Sequence, residues 1–360
     1  MSLGRKLGTG AAALVAAFLL VLLLLPAPID PAAYHPPSKP LLTGPLAPNA
    51  ALSSAALLAE GTVQGPEDVA FDAQGRLYAG TRDGRVVRLR LPEGRPETFA
   101  TTGGRPLGLR FDGDGNLLVC DSYKGLLSIG PQGGIAVLAT EAEGVPFRFT
   151  DNLDVASDGS VYFTDASAAF GQGEYLYDLL EARPHGRLLR YDPASRRTEV
   201  VLRGLYFANG VALSPDQAFV LVNETYRYRI TRFWRTGPRA GTAEVFADDL
   251  PGFPYNLDRS PRGTYWVALF TVRNDVMDAL HPYPFAKCLL AKLPRFLWPK
   301  PAPYGLVLEI DGDGRVLRSF HDPEGRRVPL ITAAREHDGE LYLGTLDHAW
   351  IGRFPLPAER

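Results

Sequence analysis

The chain has 360 residues, of which 46% are hydrophobic and 22% charged, a balance that supplies a full apolar core and excludes a disordered chain or a disulfide-held miniprotein. Lys and Arg number 38 against 40 Asp and Glu, a formal net charge of −2 with no long basic block, so no general field would gather nucleic acid phosphates. The 37 glycines and 31 prolines suit a turn-rich β protein, and the two cysteines, Cys120 and Cys288, stand in unlike contexts that read as free thiols.

In chain order, residues 1–6 hold Arg5 and Lys6 and form a short cytoplasmic segment. Residues 7–25 are uncharged and rich in Ala, Leu and Val, long enough for a transmembrane helix. Pro26, Pro28 and Pro31 crowd the exit, and no small-residue cleavage site is visible. The segment therefore reads as an uncleaved single-pass anchor with the rest of the chain outside the cytoplasm. A cleaved signal, giving a secreted protein, is the alternative. Residues 26–51 are Pro-rich without hydrophobic period and read as an extended stalk, leaving 52–360 as the folded domain.

Within that domain a short apolar run, a polar turn and a run of aromatic and β-branched residues recur. The turns fall at Gly75, Gly115, Gly159, Gln217, Gly263 and Gly339, leading into runs such as Val161-Tyr162-Phe163 and Tyr265-Trp266-Val267. Most are spaced by about 40 to 50 residues, the period of a four-stranded propeller blade. The expected fold is an all-β, six-bladed β-propeller with two partly helical insertions, residues 167–184 and 271–304. Residues 55–63 are expected to pair with the last blade and close the ring. The mixed aromatic and basic run 293–300 reads as a cover over the channel mouth, a contact with the membrane interface, or an ordinary packed loop.

The innermost strands of a propeller line its axis, so residues at one phase of each repeat meet at one mouth. Eight places before each turn stand Glu67, Leu107, Asp151, Asn209, Tyr255 and Ile331, followed by Asp68, Gly108, Asn152, Gly210, Asn256 and Thr332. Oxygen-bearing side chains occupy positions where ordinary strands place Val or Leu. They can cap turns, but so many in phase point to a metal or polar-ligand site. Hard cations take oxygen ligands, so Ca²⁺ is the expected cofactor, held by Glu67, Asp151, Asn209 and Asn256 with Asp68 and Asn152 in support. Leu107, Tyr255, Ile331 and Thr332 are expected to line a substrate pocket. His337 lies at a turn and reads as structural; the other histidines show no metal or nucleophile spacing. A Gly-x-Ser-x-Gly elbow and a P-loop are absent.

Gly104-Arg105-Pro106-Leu107-Gly108-Leu109-Arg110, Asp121-Ser122-Tyr123-Lys124-Gly125-Leu126, Val161-Tyr162-Phe163-Thr164-Asp165, Asn209-Gly210-Val211, Pro251-Gly252-Phe253-Pro254 and Glu336-His337-Asp338-Gly339 together resemble the strictosidine synthase-like family. The resemblance spans about residues 57–354. It implies a six-bladed propeller akin to the paraoxonases and the senescence marker protein/gluconolactonase group, calcium-dependent lactonases and esterases. It implies calcium ligands at Glu67, Asn209 and Asn256 with a neighbouring acid at Asp68. Those enzymes read Asn-Asp where this chain has Asp151-Asn152, and Asp where it has Tyr255. Leu107 replaces the paraoxonase catalytic His, and Thr332 stands at the catalytic glutamate of true strictosidine synthase, so neither of those chemistries transfers. The expected activity is hydrolysis of small esters or lactones, with the metal polarising the carbonyl and Glu67 or Asp151 activating water. A non-catalytic binding module at the membrane surface is the rival.

Overall fold

A computed structural model describes residues 22–91 and 95–357. They form six four-stranded antiparallel sheets arranged as the blades of a propeller. The innermost strands are Val69–Phe71, Pro106–Phe111, Thr150–Val155, Ala208–Leu213, Gly252–Arg259 and Ile331–His337. Central strands such as Leu117–Asp121 are buried throughout, whereas the outermost strand Ile135–Ala139, though apolar at every position, is largely exposed. The ring closes as the repeat pattern implies. Ala56–Leu58, from the start of the domain, pairs antiparallel with the last blade in the register Ala56↔Arg353, Leu57↔Gly352 and Leu58↔Ile351.

A shared irregularity shapes the axis. In five innermost strands the register shifts at the same height: between Pro106 and Leu109, Thr150 and Leu153, Ala208 and Val211, Pro254 and Leu257, and Ile331 and Ala334. In the first blade, pairing begins at Val69, just after Glu67 and Asp68. The residues skipped by each bulge leave the ladder, which frees their side chains for the channel. Close approach of neighbouring blades there requires glycine at Gly210, where a Cβ would lie 2.5 Å from the Tyr255 carbonyl oxygen.

This geometry corrects one expectation. The sixth hairpin is a two-residue turn, His337↔Glu340 across Asp338 and Gly339, while the first spans Asp72 to Arg76 between Phe71 and Leu77. Counting back from the turn therefore lands one residue early in the sixth blade. Thr332, not Ile331, takes the channel position, and Ile331 is buried in an apolar cluster with Trp266 and Leu343.

The insertions carry helices Tyr175–Glu181, Asp275–Leu280 and Pro284–Ala291. Asn274 caps the second, its side chain accepting from the amides of Val276 and Met277. Residues 26–51 are mostly irregular, as their prolines imply, with one 3-10 turn at Gly44–Leu46 and a second beginning at Ala51, yet they run along the propeller rather than away from it. The Ala32 amide donates to the Glu181 carbonyl at 2.9 Å, Tyr34 to that of His281 at 3.0 Å, and Arg273 to that of Pro37 at 2.6 Å. The expected membrane helix lies mostly on residues 1–21, outside the described residues; among the described residues no helix is long and apolar enough to cross a membrane. Both cysteines are free, Cys120 buried and Cys288 partly so.

Candidate functional site

Asp151, Asn209 and Asn256 stand at the bulges of their innermost strands and Glu67 just before its own, and all four are essentially excluded from solvent. Few protein groups satisfy them. Asn256 Nδ2 donates to Glu67 Oε1 at 2.9 Å, while Glu67 Oε2, both Asp151 carboxylate oxygens, Asn209 Oδ1 and Asn256 Oδ1 have no partner. Buried polar atoms without partners are rare and costly, and here they stand at the innermost strands, with Glu67 close to both Asn256 and Asp151. Burial, then the nearby charges of Asp151 and Asp68, pushes the Glu67 carboxyl well above its ordinary range. Asp151 is raised likewise by burial and by Asp165. An oxygen-only donor set of two acids and two carboxamides fits a hard divalent cation. Among the described residues no three His, Cys, Asp or Glu side chains form such a group; the carboxamides make up the set.

The neighbouring ring positions hold this centre in place. Asp68 accepts from the amides of Val69 at 2.8 Å and Leu109 at 3.0 Å, and Asn152 Oδ1 accepts from Val211 at 3.2 Å, so each side chain joins its blade to the next. Thr332 Oγ1 donates to the Glu67 carbonyl at 2.6 Å, and Asn223 Nδ2 to the Tyr255 carbonyl at 2.6 Å. Thr332 thus fixes the Glu67 backbone and does not line the cavity.

Above the centre lies an apolar cavity of about 270 Å³, walled by Phe149, Phe207, Phe253, Phe270 and Tyr255, and roofed by the insertions through Tyr175, Leu179 and Met277. Of the four expected pocket residues only Tyr255 lies on its wall. Leu107 and Ile331 are fully buried core residues; Leu107 packs in the cluster that also holds the wall residues Phe149, Phe207 and Phe253, and Ile331 in a different one. Burial, followed by the Asp151 and Glu67 charges, raises the Tyr255 phenol well above its ordinary value, so it faces the centre as a neutral hydroxyl. His337 stacks on Phe71 with ring centroids 3.8 Å apart, a packing role.

Sequence reasoning missed a second ring, three positions further along the same strands. There stand Arg110, Asp154, Asp258 and Arg335, with Ala70 and Ala212 completing the turn. Arg110 pairs with Asp154 at 3.3 Å and Asp258 at 2.6 Å; Arg335 pairs with Asp258 at 3.6 Å and Asp68 at 3.3 Å. The signal was partly present: the same count continued three places reaches Arg110, Asp154 and Asp258, but in the sixth blade it reaches Ala334, one residue short of Arg335. Arg105 stands at the start of the second blade, just before the strand Pro106–Phe111. It is buried, and its Nη1 donates to the Gly65 carbonyl at 2.9 Å.

A family profile described as strictosidine synthase matches residues 151–238, and one described as strictosidine synthase-like, N-terminal, matches residues 44–89. The adipocyte plasma membrane-associated protein of Mus musculus is 39% identical over 363 residues, covering 93% of this chain and 86% of that protein. Its Homo sapiens counterpart is 38% identical, with 97% and 89% covered. The chain belongs to the strictosidine synthase-like family. Strictosidine synthase-like protein 10 of Arabidopsis thaliana is 39% identical, over 81% of this chain and 85% of that one. Among solved structures, a gluconolactonase from Xanthomonas campestris superposes with TM-score 0.62 at 20% identity, covering 93% of this chain and 99% of that one. A calcium-binding regucalcin from Agrobacterium tumefaciens gives TM-score 0.59 at 16% identity, covering 82% and 90%. At these identities the structural likeness establishes the six-bladed fold that this member of the strictosidine synthase-like family shares with them.

Proposed function

We propose that the protein is a membrane-anchored hydrolase of small esters or lactones that uses a calcium ion at the channel mouth. The observation that carries this reading is the set of unpartnered buried oxygens on Glu67, Asp151, Asn209 and Asn256, beneath an apolar cavity that ends on Tyr255. Held by those oxygens, Ca²⁺ would polarise the substrate carbonyl and stabilise the oxyanion. Asp151 or Glu67 takes the proton of the attacking water. The aromatic walls orient the apolar part of the ester and exclude bulk water. The gluconolactonase named among the structural neighbours supports the reaction class, and the regucalcin named there supports the metal.

Membrane anchoring is supported by the apolar run 7–25 and by relatives named plasma membrane-associated. The second insertion adds a surface reason. Val276, Tyr283, Phe285, Phe296 and Leu297 are exposed on it, and Lys292 Nζ donates to the Leu22 carbonyl at 2.7 Å, beside exposed Leu23, Leu24 and Leu25. An apolar face continuous with the end of the anchor lays the insertion against the lipid interface.

The reading is tested by assaying phenyl acetate and γ-butyrolactone with calcium, after chelation, and with Glu67→Gln. Turnover that chelation abolishes and that the variant lowers by about 100-fold supports it. Activity indifferent to both rejects it. Calcium binding without turnover would favour the non-catalytic binding module.

A further inference from the structure

Beside the cavity that ends on Tyr255 lies a second one, of about 220 Å³, bounded by Arg82, Arg105, Tyr123, Gln172 and Asp347. Both cavities are lined by Gln172, Tyr175, Leu346 and Asp347, so they are contiguous, one apolar and one basic. The charges of the basic one do not cancel. Arg82 is paired with Asp347. Arg105 is only 3% exposed; its Nη1 meets a carbonyl, and its Nη2, next to Gly65 and Leu346, has no partner.

The side pocket sets two guanidinium groups against the one carboxylate of Asp347, and the buried Arg105 Nη2 is left without a partner, an arrangement that a bound anion relieves. A single surplus charge calls for a monoanion; a phosphate dianion would leave a negative charge facing Asp347.

We infer that the side pocket is a carboxylate subsite and that the joined cavities take an amphipathic monocarboxylate, its apolar body against Phe253 and Phe270 and its carboxylate held by Arg105 with help from Arg82. This deepens the hydrolytic reading by naming the substrate class, carboxylate-bearing esters or lactones with an apolar body. The binding itself requires no turnover.

Calorimetric titration of the full chain with 4-phenylbutyrate and with its uncharged analogue 4-phenylbutan-1-ol tests the inference, in calcium and in chelator. The carboxylate binds about tenfold more tightly than the alcohol, and Arg105→Gln removes that preference while leaving the alcohol within about twofold. Asp347→Asn, which deletes the competing negative charge, tightens carboxylate binding by about threefold or more and covers the case in which the Arg105 variant fails to fold. Equal binding of the two probes by the wild type overturns the inference. So does a preference that survives Arg105→Gln but disappears with chelator or Glu67→Gln, which would place the carboxylate on the metal. So does Asp347→Asn binding that is unchanged or weaker. Phenyl acetate turnover of the same samples reports separately on the hydrolytic reading.

Discussion

Glu67 and Asp151 are acids placed where ionisation is costly unless a cation shares the site, and both are raised well above the ordinary carboxyl range by burial. A cation that binds there must displace protons, so calcium affinity is expected to rise with pH. Calorimetry in buffers of different ionisation enthalpy is expected to show proton release on binding, and Glu67→Gln is expected to weaken binding by about tenfold or more. Binding that is independent of pH and buffer would show that the acids are already ionised without metal. Tyr255 sets a second expectation. A neutral phenol stands against the two acids, so Tyr255→Asp adds a charged oxygen donor and raises calcium affinity by about tenfold, whereas Tyr255→Phe leaves it unchanged. A Phe variant that loses calcium would make the phenol oxygen a ligand. Much of this ring was legible because the repeat itself acts as a ruler: the phase that delivers Glu67 also delivers Asp151, Asn209 and Tyr255. It slipped only at Ile331, because a two-residue hairpin shortens the sixth blade's turn, and hairpin length is not visible before register is known. Arg105 was not legible as a site residue, since its significance lies in a missing partner, and a sequence does not record absent contacts.

At the scale of elements, the partly helical character of the insertion 167–184 was readable from local pattern, and the helix Tyr175–Glu181 forms within it. The path of residues 26–51 was not. Its contacts reach Glu181, His281 and Ser319, partners some 150 to 270 positions away, which leave no local trace. Tyr34 from this segment and Tyr206 from the propeller stack on Arg227, with the guanidinium carbon 3.7 and 3.5 Å from their ring centroids. Edge-on to Tyr34 sits His281, buried, with neither ring nitrogen partnered. Burial, then the Lys287 and Arg227 charges, pushes its pKa down to about 3. The ordinary value applies in the unfolded chain, so the unfolded state binds the extra proton as pH falls. The stability contributed by neutral His281 is complete above about pH 6.5 and is lost progressively below it, by about 1 kcal/mol between pH 6.5 and 5.5. Urea titrations of the wild type and His281→Phe are expected to diverge in this window, with the variant losing less stability on acidification. Parallel pH dependence would mean that His281 protonates freely in the folded state.

For the whole molecule, the closing strand joins the two ends of the ring, while the charged ring joins its blades through the axis. Arg335 of the sixth blade meets Asp68 of the first and Asp258 of the fifth, and Arg110 of the second meets Asp154 of the third and Asp258 again. These groups stand on the innermost strands three positions beyond the polar centre and tie four blades and the start of the first together by charge. The lattice is marginal in charge. Burial raises Asp258 to about 7 and Asp68 to about 6, even with the neighbouring Arg110 guanidinium lowering both. Acids raised on folding bind more protons folded than unfolded. They therefore make stability fall as pH climbs from about 4 to 7, and their full cost is present above that window. Replacing Arg335 with Met removes a cation from this balance, raises both acids further, and leaves buried carboxylates short of a partner, a loss of about 3 to 5 kcal/mol where they are ionised. At pH 5 both acids are largely protonated and the loss is correspondingly smaller. Urea unfolding of Arg335→Met at pH 5 and pH 8 is expected to show the larger deficit at pH 8, with unchanged denaturant slope because the ring still buries the same surface. An equal deficit at both values would assign the role of Arg335 to packing of its stem rather than to charge. A shallower slope at both would mean that the blades had come apart, making the axial lattice a condition for closing the propeller and not only a filling for its channel.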